Sequence, residues 1–363
     1  MGSCCGAPKA KSSTARQSMF EQMTIFQAPS AIVKSDPANK SIQPVVKRTA
    51  VKSMSDATSA IRESYRATNQ VLGEGAYGKV FLFKSKGAQP EKDFAVKVLL
   101  KQMMPERAVA MIREEISVLS MMDHPHIIKY VESFEDSRYM YIVTEYVASS
   151  RDLLDIFLEA TETKRDKDGL AFPIDDTRKL MRMVLKGVTH MHANRVVHRD
   201  LKPANCLLDE NFQLKIIDFG LALDSQQAQG GAGAAQPRHI LGTPHFMAPE
   251  IFQNQGSPDS YKEPVDVWAC GVMLYMLIAE RYPFHSEDEH ELTDAICNDP
   301  VYFSHPSFAL APDSAQDLIR KMLNKNAHRR IRADECLAHP FFLQHGASST
   351  GQQDAAGGDM KLL

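Results

Sequence analysis

The sequence predicts an α+β fold in which strands come first and helices dominate later. Short runs of β-branched and aromatic residues at 80–83, 94–97 and 141–147 indicate strands. Apolar residues at helical spacing indicate a helix over 176–194, and the apolar stretch 267–279 indicates a buried helix that is too short to span a membrane. With 363 residues, 44% of them hydrophobic and 24% charged, the chain has room for a two-lobed globular domain and a tail.

Residues 1–64 differ in composition from the rest of the chain. They are rich in Ser, Ala, Lys and Gln, poor in aromatic residues and interrupted by prolines, which predicts a mostly disordered extension. Residues 1–52 contain eight Lys or Arg against two acidic residues, a net charge of +6 in a chain of net charge −3. The extension is therefore basic and the remainder acidic.

The amino terminus carries a partial lipid-attachment pattern. Gly2 follows the initiator Met and stands beside Cys4 and Cys5, which is similar to a myristoylation and palmitoylation site followed by basic residues. Gly6 stands where Ser or Thr is usual, so an unmodified tail is the alternative. The six cysteines show no metal-ligand spacing and follow no signal peptide, which predicts a reducing cytoplasmic environment, at the cytoplasmic face of a membrane if the chain is acylated.

A glycine-rich stretch precedes the strand at 80–83. Gly73, Gly75 and Gly78 form a G-x-G-x-x-G pattern, which dinucleotide-binding folds also use. Those folds open a helix after the glycines, whereas a strand follows here. The pattern therefore predicts a glycine-tipped hairpin that lets the backbone approach nucleotide phosphates.

The next strand contains a lysine among apolar residues. Burial of the Lys97 ammonium would be costly without partners such as phosphates and a carboxylate. We expect the carboxylate on the following helix.

A charged segment at 162–173 superficially resembles a calcium loop. However, Lys164 occupies the first ligand position and no Glu closes the loop. The segment is therefore interpreted as a solvated loop between helices.

Two apolar runs end in polar clusters that suggest phosphoryl chemistry. Asp200, Lys202 and Asn205 follow the first run, and Asp218 follows the second, Leu214–Ile217. Asn205 and Asp218 offer the hard oxygen ligands that Mg²⁺ prefers. Asp200 can accept a hydroxyl proton, and Lys202 can neutralise charge near a transferred phosphoryl group.

Together these motifs resemble the eukaryotic protein kinases. The spacing between the His-Arg-Asp motif at 198–200 and the Asp-Phe-Gly motif at 218–220 fits that family, and further motifs stand in the family's order on both sides. One of them, at 242–250, resembles the end of a kinase activation segment. The closest group by eye is the calcium/calmodulin-dependent and calcium-dependent kinase branch, here without EF-hands.

The resemblance implies a two-lobed kinase fold over 66–342. A small, mostly antiparallel β lobe with one key helix is expected at 66–146, and a larger, mostly helical lobe at 147–342. Residues 343–363 are expected to be a disordered tail without a calmodulin-binding helix.

The resemblance also implies the cofactors ATP and Mg²⁺ and the residues that hold them. Asp200 and Lys202 are the expected catalytic residues, and Asn205 and Asp218 the expected metal ligands. Thirteen further residues are expected to contact ATP, directly or through another side chain, and they are Leu72, Gly73, Gly75, Gly78, Val80, Ala95, Lys97, Glu115, Thr144, Glu145, Val147, Asp152 and Leu207.

Several of these residues have distinct implied roles. The family's register selects Glu115 as the partner of Lys97, with Glu114 as the alternative. Backbone groups of Glu145 and Val147 would bind adenine, and Thr144 falls at the gatekeeper position. Asp152 would meet the ribose or a basic substrate side chain, although the start of a solvated helix is nearly as good an interpretation.

Two acidic residues of the large lobe are expected to be structural. In the family pattern Asp266 holds the backbone of the catalytic loop at 196–205, and Glu250 pairs with Arg330.

Lys202 together with Thr243 resembles the pattern of the kinases that phosphorylate Ser or Thr.

The sequence therefore predicts an ATP-dependent protein Ser/Thr kinase with protein substrates. We expect no nucleic-acid partner, and the suspected acylation makes a membrane surface an expected partner and membrane-proximal signalling the expected setting. The alternative is a catalytically inactive pseudokinase scaffold, although every expected catalytic position is filled.

Overall fold

The computed structural model describes residues 59–75, 77–163, 170–224, 243–254 and 262–343. The basic extension up to residue 58, the middle of the charged segment, most of the activation segment and the tail beyond 343 lie outside these ranges, so the expectations for them are not addressed by the structure.

The small lobe is built around a five-stranded antiparallel sheet. The lobe consists of α1 (Ser59–Ser64), β1 (Tyr65–Gly75), β2 (Gly78–Ser85), β3 (Asp93–Leu100), α2 (Glu106–Ser120), β4 (Tyr130–Glu135) and β5 (Tyr139–Glu145). The strand order in the sheet is β1-β2-β3-β5-β4. This is the predicted mixed architecture, with one long helix packed on the sheet.

Strand β3 shows how the sheet separates core from cleft. Val96 and Val98 are buried in an apolar cluster on one face of the sheet. Because side chains alternate along a strand, Lys97 points to the opposite face. Helix α2 packs against the main core through a face that includes Ile112 and Val118, and Glu115 lies on the same buried face.

Helix α1 belongs to the packed small lobe although the sequence placed residues 59–64 in the extension. Ile61 is fully buried, and it packs in the same cluster as Tyr65, Phe83 and Val96. The hydroxyl group of Tyr65 donates a hydrogen bond to Glu132 on β4. Within the described residues, α1 is therefore part of the packed small lobe.

The large lobe is mostly helical, as predicted. Its helices are α3 (Leu153–Thr163), α4 (Ile174–Ala193), α5 (Pro249–Gln253), α6 (Pro264–Ala279), α7 (Glu289–Asn298), α8 (Asp313–Met322), α9 (Ala333–Leu337) and α10 (Pro340–Leu343). The predicted helix over 176–194 is confirmed as α4, which begins two residues earlier. The apolar stretch 267–279 is confirmed as the buried interior of α6, with Trp268 fully inaccessible. Among the described residues, no helix is long and apolar enough to cross a membrane.

Five short strands at the junction of the lobes position the polar clusters. They are β6 (Arg151–Asp152), β7 (Val196–Val197), β8 (Cys206–Leu208), β9 (Leu214–Ile216) and β10 (Leu223–Asp224). Strands β6, β8 and β9 form one antiparallel sheet, and β7 pairs with β10. The small lobe is joined to this region by a parallel bridge between Ile127 and Ile216.

Candidate active site

Lys97 lies between two carboxylates in the cleft. Its Nζ is 2.8 Å from Glu115 Oε1 and 3.7 Å from Asp218 Oδ1. Burial alone would lower the pKa of Lys97, but the charges of Glu115 and Asp218 outweigh it and raise the pKa above its usual value. Lys97 is therefore held as a cation, and its predicted ion pair is formed with Glu115 and not with Glu114.

Glu115 is almost completely buried on the inner face of α2. Burial raises its pKa, which the neighbouring Lys97 charge only partly counteracts. Its Oε1 accepts the bond from Lys97, whereas its Oε2 has no hydrogen-bond partner among the described residues. Because a buried carboxylate with one unsatisfied oxygen is costly, the neighbouring Lys97 charge is the contact that favours the ionised form of Glu115.

Antiparallel pairing brings Asn205 and Asp218 close together. Cys206 on β8 faces Ile216 on β9, so Asn205 just before β8 is opposite Ile217 just after β9. The backbone N–H of Ile217 donates to the carbonyl oxygen of Asn205 at 2.9 Å, and Asp218 is the next residue. Two predicted metal ligands that are distant in sequence therefore lie on adjacent backbone segments.

The backbone of Asp218 adopts a left-handed conformation, with φ of 61°. Non-glycine residues adopt it at some energetic cost, and such residues often occur at functional sites. Burial raises the pKa of the Asp218 carboxyl, but Lys97, His198 and the Gly220 N–H together lower it below the ordinary Asp value. Asp218 is thus kept as an anion, the form required of a metal ligand.

Asp200 and Lys202 form a second ion pair that reaches the end of the activation segment. Lys202 Nζ lies 2.8 Å from Asp200 Oδ2 and donates to Thr243 Oγ1 at 3.0 Å. Asn205 Nδ2 donates to the backbone carbonyl of Asp200 at 2.7 Å and is 3.2 Å from its Oδ2. These contacts fix the Asp200 carboxylate in one orientation beside the Asn205 amide.

Asp266 on α6 holds the catalytic loop from beneath, as expected. Its two carboxylate oxygens accept the backbone N–H groups of His198 and Arg199, both at 2.9 Å. His192 Nε2 lies 3.0 Å from Asp266 Oδ2. Burial raises the pKa of Asp266, but the bonds from His192 and the loop bring it below the usual Asp value.

His192 is a contributor that the sequence reasoning missed. It lies in the last turn of α4, and its partner Asp266 is 74 residues away in the chain. A histidine just before the catalytic loop was the only available signal, and it does not reveal the partner.

Two arginines of the large lobe have well-defined partners. Arg330 donates to Glu250 at 2.6 and 2.8 Å and to the Pro264 carbonyl at 2.8 Å, which confirms the expected structural pair. Arg199 Nε donates to the backbone carbonyl of Leu221 at 2.5 Å. Among the described residues, Arg199 is thus hydrogen-bonded to the backbone just after the Asp-Phe-Gly motif at 218–220.

Five of the residues predicted to contact ATP are neighbours in the small-lobe sheet. Gly73 on β1 faces Val80 on β2, and Val80 in turn faces Lys97 on β3. Ala95 faces Thr144 on β5, whose Oγ1 lies 3.4 Å from the Ala95 carbonyl oxygen. The sheet therefore places these residues side by side along the cleft.

The three glycines of the hairpin are not equivalent. A Cβ on Gly78 would lie 1.8 Å from the Val98 carbonyl oxygen, so packing requires glycine there. A Cβ on Gly73 would meet nothing within 4 Å, and one on Gly75 would make only an ordinary contact. The fold leaves open space above Gly73 and no clash at Gly75, which suits a loop that binds phosphates.

The contacts predicted for the hinge, the chain that follows β5 from Glu145 to Val147, are not tested by the structure. The Glu145 N–H donates to the Lys129 carbonyl at 2.9 Å, and the Val147 carbonyl accepts from Ser150 Oγ at 2.7 Å. Leu72 and Leu207 are both half-buried. The adenine contacts assigned to these positions stay predictions.

Asp152 acts as the start of a helix. Its Oδ1 accepts the backbone N–H of Asp155 at 2.8 Å in the first turn of α3. Burial raises the pKa of Asp152. The capping contact supports the helix-start interpretation, and a contact with ribose or substrate stays a prediction.

Comparison with known proteins agrees with this geometry. A model of the protein kinase domain matches residues 66–342. The chain belongs to the protein kinase family. This confirms the resemblance drawn from the motifs.

The relatives of this kinase include two kinds of kinase. Over 284 residues it is 34% identical to calcium-dependent protein kinase 4 of Plasmodium berghei (strain Anka), covering 77% of this chain and 49% of that protein. Over 260 residues it is 33% identical to the liver/testis isoform of the phosphorylase b kinase gamma catalytic chain of Homo sapiens, covering 69% of this chain and 60% of that one. The chain thus spans about half to three fifths of the length of these relatives.

Proposed function

We propose that this kinase transfers the γ-phosphoryl group of ATP to Ser or Thr hydroxyl groups of proteins. The observation that carries the proposal is the arrangement of Asp200, Lys202 and Thr243. An oriented carboxylate beside an ammonium, closed by a hydroxyl from the activation segment, is the arrangement needed to receive an acceptor hydroxyl next to a developing negative charge. Both kinds of relative described above carry kinase names, which also supports the proposal.

The described residues fit ATP and Mg²⁺. The open space above Gly73 suits phosphates, and Asn205 and Asp218 supply an amide oxygen and a carboxylate. No group of three or more His, Cys, Asp or Glu side chains within the described residues could hold a metal by itself. That suits Mg²⁺, which keeps several waters and binds through one or two carboxylates together with substrate phosphates. When bound, Mg²⁺ with ATP supplies an electrophilic phosphoryl group whose charge is partly neutralised.

Each residue of the site has a separate task in the proposed reaction. Asp200 orients the acceptor hydroxyl and takes its proton, while Lys202 stabilises negative charge on the transferred group. Lys97 holds the ATP phosphates, and Glu115 positions Lys97. Most of the rate enhancement is expected from this positioning and electrostatic stabilisation.

The test is phosphate transfer by purified Asp200→Asn protein. We expect turnover on a generic protein substrate to fall at least about a hundredfold, because Asn cannot take the proton, while ATP binding persists. Asp313→Asn is the matched control, since Asp313 is exposed at the start of α8. Wild-type protein that binds ATP without transferring phosphate would instead support the pseudokinase alternative, and near-normal transfer by Asp200→Asn would remove the proposed role of Asp200.

We further propose that the kinase acts at the cytoplasmic face of a membrane, through lipid on Gly2 and on Cys4 or Cys5. The sequence pattern and the +6 charge of residues 1–52 support this. Salt alone should not release the protein from membranes, whereas Gly2→Ala should make it soluble. An unacylated amino-terminal peptide in mass spectrometry of the wild-type protein would contradict the proposal.

A further inference from the structure

Three histidines meet where the small lobe contacts α4 and β9, and none of them belongs to the site described above. The rings of His124 and His190 are stacked, with centroids 5.0 Å apart and planes inclined by 26°. The ring of His126 meets His124 edge-on at 5.4 Å. His190 lies in the last turn of α4, and the other two lie in the loop before β4. Two elements therefore bring three imidazoles together.

The hydrogen bonds around these rings fix where their protons are. His126 Nδ1 lies 3.1 Å from the Leu214 carbonyl oxygen, which can only accept, so this nitrogen carries the proton. The backbone N–H of His126 donates to His124 Nδ1 at 3.1 Å, so the neutral His124 ring carries its proton on Nε2. That Nε2–H donor has no acceptor among the described residues.

Two lysines lie near the cluster. Lys186 precedes His190 by four residues and therefore lies on the same face of α4. Lys215 Nζ is paired with Glu145 Oε1 at 2.6 Å, but Lys186 makes no hydrogen bond or ion pair with any described residue. Burial lowers the pKa of His124 to about 4, and His190, His126, Lys186 and Lys215 lower it in the same direction. A second proton on this ring is therefore disfavoured by burial and by these neighbouring groups.

We infer that His124, His190 and Lys186 form a binding site for a phosphate group. Lys186 is exposed to solvent, and together the ammonium without a carboxylate and the N–H without an acceptor offer a positive charge and a donor to a ligand that accepts hydrogen bonds and carries negative charge. Phosphate offers several acceptor oxygens and up to two negative charges, so it can engage a ring N–H and an ammonium at once. A phospholipid headgroup and a soluble phosphate compound share this chemistry.

The direct test follows the histidine side chains by NMR in the full-length protein, with ¹³C-labelled histidine and inorganic phosphate as the probe. The His124 and His190 signals are assigned through the variants His124→Gln and His190→Gln. Both signals are expected to shift saturably with phosphate and not with chloride at equal ionic strength. Bound phosphate should also raise the pKa of His124 from about 4, because it favours the charged ring. Equal responses to phosphate and chloride, or no saturable response, would overturn the inference. These signals report the cluster itself, so the result does not depend on what the nucleotide cleft binds.

Two variants separate the ligand contacts from the packing. Lys186→Met is expected to weaken phosphate binding about tenfold or more, as for the loss of one charge-assisted hydrogen bond. Lys179→Met on the same helix is the matched control, since Lys179 already pairs with Asp176, and it should leave the affinity unchanged. His124→Phe keeps the stacking but removes the donor and should also weaken binding. If His124→Phe does not fold, the comparison of the two lysine variants still decides.

The source of the phosphate is distinguished by a vesicle assay. Full-length wild type and Lys186→Met are compared on phosphatidylcholine vesicles that contain phosphatidic acid. Weaker vesicle binding by the variant would identify a lipid headgroup, whereas equal vesicle binding with impaired binding of inorganic phosphate would identify a soluble ligand. If Lys186→Met changes neither measurement, the site does not exist.

Discussion

Replacing Lys97 with Met removes the ammonium that lies between the carboxylates of Glu115 and Asp218. The same ammonium is proposed to hold the ATP phosphates, and an ammonium–phosphate charge pair at about 4 Å is worth roughly 4 kcal/mol at the effective dielectric of a partly exposed site. Losing even about 2.7 kcal/mol of this from the transition state lowers turnover about a hundredfold. We therefore expect kcat/KM for phosphate transfer to fall at least about a hundredfold in Lys97→Met. Lys101→Met is the control, because Lys101 pairs with Glu135 away from the cleft and should retain near-normal activity.

The same substitution has a predictable effect on stability. Without Lys97 the buried Glu115 loses its cation, and its pKa, already raised by burial, rises further. Protonation then avoids an unpaired buried charge, so we expect the free energy of unfolding to fall by only about 1 to 3 kcal/mol. Because the folded pKa lies above the ordinary value of 4.5, the variant should lose stability as the pH rises from that value through the folded pKa.

A double variant tests whether Glu115 acts through Lys97. Lys97→Met with Glu115→Gln should match Lys97→Met in activity, since the positioning residue has nothing left to position. It should also lack the extra pH dependence of unfolding. Activity of Lys97→Met within tenfold of wild type, or activity losses that multiply in the double variant, would refute this reasoning.

Three further outcomes are expected. Phosphatase treatment of the active enzyme should leave most of its kinase activity, because Arg199 already donates to a backbone carbonyl and residues 225–243 contain hydroxyl side chains only at the two ends. A large loss of activity, with the removed phosphate mapped to residues 225–243, would contradict this prediction. Arg330→Met should lower the free energy of unfolding by about 3 to 5 kcal/mol by leaving Glu250 unpaired, and adding Glu250→Leu should restore part of it in thermal melts. Ala204 stands where many Arg-directed kinases have Glu, so a peptide library should show no dominant requirement for Arg three residues before the acceptor.

Local pattern was enough to predict the residues whose neighbours lie close in the chain or on a regular element. Lys97 was predicted to need a carboxylate because a charged residue among apolar ones in a strand needs partners, and the resemblance to the family, not the local pattern, selected Glu115 over Glu114 on the following helix. Helix α6 was predictable because its apolar stretch is continuous. By contrast, β7 and β10 have two residues each, too few for any periodicity, and they form only because their partners are held in place. The bond between His192 and Asp266 likewise depends on how α4 packs against α6, which a single sequence does not specify.

The glycine hairpin shows most clearly what the structure adds to the motif. The sequence presents Gly73, Gly75 and Gly78 as equal members of one pattern, yet folding requires only Gly78, whose Cβ would collide with the backbone of β3. At Gly73 and Gly75 neither packing nor left-handed backbone excludes a side chain. Since glycine in a strand weakens it, glycine at these two positions has a cost that the fold does not explain. A ligand that must approach the backbone closely does explain it, and the Lys97 ammonium, which faces Val80 on β2 as Val80 faces Gly73 on β1, fits the anionic phosphates proposed for this site.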